Sequence, residues 1–261
     1  MDRARPSVLT ARFWTYWDLY HTLQKAWRPA LFAFLVLSIG AFATVVGPLL
    51  LTRDPIGQAV TGLAILVGLC FLLTPFLLTI HRSLLLGESA TRYDFRPSSL
   101  RFQLFFGWLA LSVLLVTFPS FLGALTAPKN PIYYLSQPSL NDRFTVATAV
   151  RLVALFFVQH LLVLFPAVAV DAPGAGWQNA ISDTRKHIWF VLAVTILPFV
   201  PIGLLGGVVA PLFRPWVGSL IGLIVGTLWV GAMLLVALTL GAVIASRLYQ
   251  VIGDRLNTPL R

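Results

Sequence analysis

The sequence contains a single cysteine, Cys70, among 261 residues. One cysteine excludes an intramolecular disulfide framework and any zinc site built from several thiolates. The sequence also has no His-x-x-x-His pair, no paired carboxylates and no glycine-rich loop followed by lysine, so the common metal-hydrolase and phosphate-loop patterns are missing. We therefore predict neither a bound metal nor a cofactor.

Charged residues are scarce as well. They make up 11% of the chain against 58% hydrophobic residues, and the mean hydropathy is +0.85. A water-soluble fold cannot hide so many apolar side chains, so lipid must be their solvent. All nine carboxylates fall in loops or at predicted helix ends. A proton- or sodium-coupled transporter normally needs an acidic group at membrane depth, and none is predicted here.

Catalytic signatures are missing too. Ser219 lies in Gly218-Ser219-Leu220-Ile221-Gly222, one position out of the Gly-x-Ser-x-Gly register of hydrolases, and His160 is the only histidine predicted inside a span. We predict no catalytic residue and expect a non-enzymatic scaffold or accessory component. The alternative is a transporter or lipid-handling protein with a site between proline-broken helices.

Long apolar stretches are what the sequence has in abundance. They occupy residues 29–51, 56–80, 102–125, 144–170, 188–210 and 216–245. Their length suits a hydrocarbon core of about 30 Å, and their unbroken apolarity indicates helices rather than barrel strands. The predicted fold is an all-α polytopic bundle of six spans over residues 29–246, preceded by an interfacial helix at 1–28 and followed by a short tail at 247–261.

Basic residues are concentrated on alternate loops. One side holds Arg3, Arg5, Arg12, Lys25, Arg28, Arg82, Arg92, Arg96, Arg101, Arg185, Lys186, Arg247, Arg255 and Arg261. The other side holds Arg53, Lys129, Arg143 and Arg214. This asymmetry predicts that both termini and the second and fourth loops are cytoplasmic. Because the basic residues sit at span ends, the net charge of +10 favours anionic lipid headgroups over nucleic acid.

Two segments outside the spans have helical periodicity. Before the first span, one predicted stripe consists of Phe13, Tyr16, Trp17, Tyr20, Leu23 and Trp27, and the opposite stripe of Arg12, Thr15, Asp18, Thr22 and Lys25. After a turn at 171–174, a second predicted face consists of Trp177, Ile181, Thr184 and Ile188. Both patterns predict amphipathic helices at the cytoplasmic interface. The first is either a membrane anchor or a docking surface for a protein partner.

The cytoplasmic loops supply the candidate contacts to anionic lipid. These candidates are Arg82, Arg92, Arg96, Arg101, Arg185 and Lys186. The loop at 81–101 also carries Glu88, the chain's only glutamate. A basic loop is either a topology signal alone or a specific site for a phosphate-bearing lipid or partner, and both interpretations are open.

Two ionisable residues lie inside the fourth predicted span. His160 is about 22 Å along that helix and Arg151 about 10 Å, so Arg151 can extend to the outer headgroups while His160 lies near the midplane. Spaced nine residues apart, they project from opposite faces and cannot form one site. We expect His160 to bond a hydroxyl or carbonyl of a neighbouring helix; a role in a proton relay or in substrate binding is the alternative.

Small residues and prolines mark the later spans. Gly218, Gly222 and Gly226 predict a seam for close helix packing, either within the bundle or between two copies. Prolines at 75 and 166 in spans two and four, and at 119, 198 and 201 in spans three and five, hint at a repeat of two hairpins with broken helices.

Two stretches resemble a known group of proteins. They are His81-Arg82-Ser83-Leu84-Leu85-Leu86-Gly87-Glu88, with Phe95-Arg96 and Leu100-Arg101-Phe102 after it, and 165–174, running on to Trp177, Ala180 and Ser182. They resemble uncharacterised six-helix proteins of the bacterial inner membrane, similar to the membrane domain attached to some glycerophosphoryl diester phosphodiesterases. The resemblance implies a helical bundle in the bacterial cytoplasmic membrane and no activity, because the phosphodiesterase chemistry belongs to a separate barrel.

Overall fold

The computed structural model describes residues 8–52, 54–89, 93–126, 146–216 and 219–258, and these residues contain helices and turns but no strand. The helices are α1 Val8–Lys25, α2 Trp27–Leu51, α3 Pro55–Leu86, α4 Leu100–Thr126, α5 Val146–Leu161, α6 Leu164–Ala169, α7 Trp177–Arg185, α8 Ile188–Ile196, α9 Phe199–Val209 and α10 Leu220–Ile252. A 3-10 helix, Ala210–Trp216, joins α9 to α10. The predicted all-α class is confirmed.

Five segments of the described chain are long and apolar enough to cross a membrane. They are Trp27–Pro48, Ile56–Leu86, Leu100–Pro119, Ile188–Phe213 and Leu220–Ile252. This set fits a multi-pass membrane protein. The remaining predicted span, 144–170, contains α5 and the six-residue α6, and its apolar part, Thr148–Leu161, is shorter than the others. Six crossings therefore stay a prediction.

Helix α3 is capped at both ends. The Asp54 carboxylate accepts a hydrogen bond of 2.9 Å from the N–H of Gly57, which caps the first turn. At the other end Gly87 adopts φ 69, a left-handed conformation that glycine tolerates without steric cost. The helix continues beyond its predicted end, so His81 and Arg82, expected in a loop, lie on its last two turns.

Proline does not break these helices uniformly. Helices α3 and α4 continue through Pro75 and Pro119, whereas the chain is interrupted near Pro166, between α5 and α6, and at Pro198, between α8 and α9. One lost hydrogen bond does not by itself end a long, packed helix. The breaks thus fall in the fourth and fifth predicted spans and not at the matching positions that a two-hairpin repeat requires.

Helix α3 lies at the centre of the described bundle, where it contacts α2, α4, α6 and α10. Side chains from these helices form a common core that includes Phe76, Ile80, Phe105, Leu164, Leu240, Ile244 and Leu248, all fully buried. The core lies at the α3 end that carries His81 and Arg82. That end is therefore the firmly packed part on which a site can be positioned.

Helix α10 closely approaches α2 at Gly231. A Cβ atom built there would lie 2.1 Å from Ser38 Oγ and 3.0 Å from Ser38 Cα of α2. The predicted seam differs: Gly218 lies outside the described residues, Gly222 meets the backbone of Trp216 just before α10, and Gly226 has open space beside it. Gly222 and Gly226 instead line an apolar groove of about 370 Å³ between α2, α3 and α10.

Helix α1 packs on the bundle through the stripe that we predicted to be polar. Thr15, Leu19 and Thr22 are buried, while Trp17 and Tyr20 are exposed. The prediction of one aromatic face and one solvated face misplaced the threonines, because their short side chains let α1 approach α8 and α10 closely.

Helix α7 buries one residue of its predicted face, Thr184, together with two residues outside that face. Its buried residues are Ala180, Asp183 and Thr184, while Trp177 is exposed. Asp183 is buried because its carboxylate accepts hydrogen bonds of 3.0 and 3.2 Å from the N–H groups of Arg255 and Leu256, in the turn that follows α10. The chain beyond α10 is therefore bound to α7 by its backbone.

That turn also contacts Gly174, between α6 and α7. The Gly174 N–H donates a 3.0 Å hydrogen bond to Leu256 O, and a Cβ atom at 174 would lie 2.4 Å from Arg255 O. Only glycine permits such an approach of two backbones. Burial, partly offset by the two backbone hydrogen bonds, raises the pKa of the neighbouring Asp183 carboxyl above its ordinary value.

Candidate functional site

A charged cavity of about 710 Å³ opens between the end of α3, the start of α4 and the loop that joins them. Its lining residues are Pro75, Leu78, Thr79, Arg82, Glu88, Ser89, Tyr93, Asp94, Arg96, Ser99, Leu100, Arg101, Phe102 and Asp171. From the end of α3 the lining extends eleven residues down to Pro75, about 16 Å along the helix. The cavity thus has a polar mouth and an apolar floor.

The inner wall is held by Arg101 and Asp171. Arg101 Nε donates to Asp171 Oδ1 at 2.9 Å, and its Nη2 donates to the other carboxylate oxygen, so the contact is bidentate. Asp171 follows α6 with φ 54, a left-handed conformation that aspartate adopts more readily than most residues. This turn directs a carboxylate to an arginine 70 residues earlier in the chain.

Arg82 holds the opposite side of the cavity. Its Nε and Nη2 donate to the two oxygens of Glu88, its Nη1 donates to Ala169 O at 3.0 Å, and Nη1 is 4.0 Å from Asp171 Oδ2. The hydrogen bond from Arg82 holds the pKa of Glu88 below its ordinary value. Arg82 and Arg101 therefore converge on Asp171.

The mouth is formed by Arg96, Asp94 and Tyr93. Arg96 Nε donates to Asp94 Oδ1 at 2.9 Å, and these side chains are 75% and 61% exposed, against 22% for Arg82 and 33% for Arg101. The Tyr93 ring packs against Phe32 of α2 with ring centroids 4.4 Å apart. Its hydroxyl is buried and has no hydrogen-bond partner among the described residues, and burial raises its pKa.

These pairs compensate charge but leave donors unused. A guanidinium has five N–H donors in a fixed fork, and the pairing with Asp171 uses only the Nε and Nη2 donors of Arg101. Among the described residues, Arg96 likewise donates through Nε alone. The cavity can therefore offer several N–H groups to a ligand that brings hydrogen-bond acceptors.

The structure brings together three of the six predicted lipid contacts. Arg82, Arg96 and Arg101 line the cavity, and Arg92 lies outside the described residues. Arg185 and Lys186 are exposed at the end of α7 and do not line it. The sequence analysis missed Asp171 and Tyr93 as members of this site; an aspartate at a turn on the same predicted side was the available signal.

His160 and Arg151 lie apart on α5. The imidazole of His160 is buried, with Nδ1 2.8 Å from the Thr184 hydroxyl of α7, whereas Arg151 is exposed among apolar side chains. Neither residue lines the charged cavity. The histidine joins α5 to α7.

A second buried histidine was missed because its position was predicted to be in a loop. His81 Nδ1 is 2.8 Å from Ser246 Oγ of α10, and the ring also lies near Phe105 of α4. This pair joins three helices one residue before Arg82 and so fixes the base of the arginine. In the part of the chain that the structure describes, no three His, Cys, Asp or Glu side chains are grouped as a metal ion would need.

Comparison with family models, with curated proteins and with solved structures finds no match to this chain. The function is therefore argued from the cavity itself.

Proposed function

We propose that this chain is a membrane protein that binds the phosphate-bearing headgroup of a lipid in the charged cavity. The observation that carries the proposal is a set of unused arginine N–H donors above an apolar floor, at the ends of two membrane-length helices. Phosphate oxygens accept hydrogen bonds from the guanidinium fork in a favourable geometry. A lipid-handling role therefore becomes the leading hypothesis in place of a scaffold.

The shape of the site favours a lipid over a small soluble ester. Pro75, Leu78 and Phe102 offer apolar surface beneath the charges, where a glycerol and the start of an acyl chain fit. Around the mouth, Leu86 and Leu100 are exposed, as expected of side chains that touch the acyl region of a bilayer. A small soluble phosphate ester has no apolar group to bury against this surface.

The finer topology belongs to the same proposal. We infer six crossings, with α5 and α6 together as the fourth, and both termini in the cytoplasm of a bacterial cell. The positive-inside asymmetry supports this orientation. The cavity then opens to the cytoplasmic leaflet of the inner membrane, where anionic headgroups attract basic residues.

The test is native mass spectrometry of the protein released from nanodiscs of its own membrane. We expect bound phospholipid on the wild type and its loss from the Arg101→Gln, Asp171→Asn double variant, which removes both charges and leaves no carboxylate without its arginine. The control is Arg185→Gln, an exposed arginine outside the cavity. Equal lipid retention by the double variant and the control contradicts the proposal.

The second candidate is a non-enzymatic scaffold that binds a protein partner through α1. It is supported by Trp17 and Tyr20, which stay exposed although the other face of α1 is buried in the bundle. Tryptophan and tyrosine are enriched both at protein interfaces and at membrane interfaces. A stoichiometric partner that co-purifies in mild detergent and is lost on Trp17→Ser would support this candidate; lipid release by the same variant would assign the residue to the membrane.

A further inference from the structure

We propose that the cavity selects headgroups that carry an ammonium group beside the phosphate over headgroups that are purely anionic. The inference rests on the lipid-binding role proposed above and specifies its ligand. It follows from the balance of charges, from the arrangement of donors and acceptors, and from the unpartnered hydroxyl at the wall.

The described lining of the cavity is formally neutral. It contains three arginines, Arg82, Arg96 and Arg101, and three carboxylates, Glu88, Asp94 and Asp171, so the formal charge is 3 − 3 = 0. A net anionic headgroup would bring an uncompensated charge next to an apolar floor, which is unfavourable. A zwitterionic headgroup brings equal positive and negative charge and leaves the balance unchanged.

Depth separates the two halves of such a ligand. The inner arginines, Arg82 and Arg101, converge on Asp171 and can donate their unused N–H groups to phosphate oxygens. The carboxylates of Glu88 and Asp94 are each paired with one arginine and keep lone pairs for an ammonium, and Asp94, beside Arg96 at the mouth, is the more exposed of the two at 61% against 47%. The phosphate therefore lies inward, near the apolar floor that the glycerol would contact, and the amine lies at the mouth.

Tyr93 adds a hydroxyl donor to the wall of the cavity. Its hydroxyl is buried beside the cavity without a partner among the described residues, and a buried hydroxyl with no partner is costly. A phosphate oxygen would accept its hydrogen bond.

The experiment places the purified protein in nanodiscs of equal parts phosphatidylethanolamine and phosphatidylglycerol and measures the lipid retained on the released protein. We expect about tenfold enrichment of phosphatidylethanolamine, the effect of roughly 1.4 kcal/mol. The Glu88→Gln, Asp94→Asn variant should shift the ratio toward phosphatidylglycerol, because the amine loses its acceptors and the cavity becomes net positive. The control, Asp254→Asn, changes an exposed carboxylate outside the cavity and should leave the ratio unaltered.

A measurement on the wild type alone keeps the test decisive if the double variant does not fold. Replacing phosphatidylethanolamine by phosphatidylcholine keeps the net charge but removes the N–H donors of the amine. We expect retention in the order phosphatidylethanolamine, phosphatidylcholine, phosphatidylglycerol. Phosphatidylglycerol retained as well as the other two overturns the inference and leaves lipid binding intact.

The remaining outcomes distinguish a failure of headgroup selection from a failure of lipid binding itself. If the wild type retains no phospholipid, lipid binding itself is wrong and the inference fails with it. A protein that binds soluble O-phosphoethanolamine in detergent but retains no phospholipid would overturn the lipid source while supporting the paired amine and phosphate chemistry.

Discussion

At Gly231, one extra methyl group should disturb the packing of α10 against α2. On Gly231→Ala the new Cβ would meet Ser38 Oγ and lie 3.0 Å from Ser38 Cα, so the α2 backbone must shift. We expect a loss of about 1–3 kcal/mol in unfolding free energy, as for other overpacked contacts. The measurement is thermal or denaturant unfolding in detergent.

Gly226 provides the matched control on the same helix. A Cβ there meets nothing within 4 Å, and alanine has a higher helix propensity than glycine. We expect Gly226→Ala to be neutral or slightly stabilising. Equal destabilisation by both substitutions would contradict the assignment of the close contact to Gly231.

Asp183 gives a dependence on pH with a defined sign. Because burial raises its pKa in the folded protein, the folded state holds the proton more tightly than the unfolded state, and this carboxyl lowers stability as pH rises through the raised pKa. We expect the melting temperature of Asp183→Asn, compared with that of the wild type, to increase as the pH rises from the acidic range to neutrality. Asp94→Asn, which changes an exposed carboxylate in the loop between α3 and α4, is the control. A difference in melting temperature between Asp183→Asn and the wild type that does not change with pH would contradict this explanation.

Single residues also show the limit of sequence reasoning. The periodicity of residues 13–27 predicted helix α1 with its aromatic stripe at the headgroup boundary, but it assigned Thr15 and Thr22 to the opposite, polar stripe. The structure buries both threonines in the bundle, because they are small enough to pack closely despite their hydroxyls. A polar residue type was taken for a solvated position, and only the shape of the partner helices decides that question.

At the scale of elements, α1 is fastened to the bundle by two polar contacts. The Tyr16 hydroxyl donates to Pro198 O, at the break between α8 and α9, and Asp18 pairs with Arg247 of α10 through an Nε–Oδ2 distance of 2.7 Å. We expect Tyr16→Phe to cost about 1 kcal/mol and to speed tryptic cleavage at Lys25. Tyr20→Phe changes an exposed tyrosine on the same helix and should neither lower stability nor speed this cleavage. Equal protease resistance of the wild type and Tyr16→Phe would argue against this anchor.

Helix positions were predictable because an apolar run of membrane length leaves the backbone one way to satisfy its hydrogen bonds. The ends of the helices were less predictable. A charged residue such as Arg82 was taken for the start of a loop, yet it lies on α3, where its guanidinium donates to Glu88 and Ala169 O. The helix breaks could not be located by prolines alone, since Pro75 and Pro166 differ in outcome but not in residue type.

For the whole molecule, the lone cysteine allows a direct test of orientation. Cys70 is buried, so maleimide labelling of intact cells should report only introduced cysteines. We expect Pro215→Cys, exposed between the membrane-length segments that end at Phe213 and begin at Leu220, to react with a membrane-impermeant reagent. Ser89→Cys should react only after the cells are permeabilised. The reverse pattern would invert the proposed topology.

The sequence predicted only part of the charged cavity. The clustering of arginines in one loop indicated a phosphate site, but the partner of Arg101 is 70 residues away and enters through the fold of the α6–α7 turn. Without that fold, the pairing of Arg101 with Asp171 could not be predicted, and the loop was interpreted as a basic segment that contains Glu88.

The turn after α10 implies an order of events during biosynthesis. Asp183 receives its backbone donors from a segment 72 residues later in the chain, which the ribosome adds about 4–14 s afterwards at 5–20 residues per second. Until then the nascent protein carries an aspartate whose binding partners do not yet exist. This end of the molecule can therefore close only after the ribosome has released that segment. We expect chains truncated within α10 to be degraded by cellular proteases.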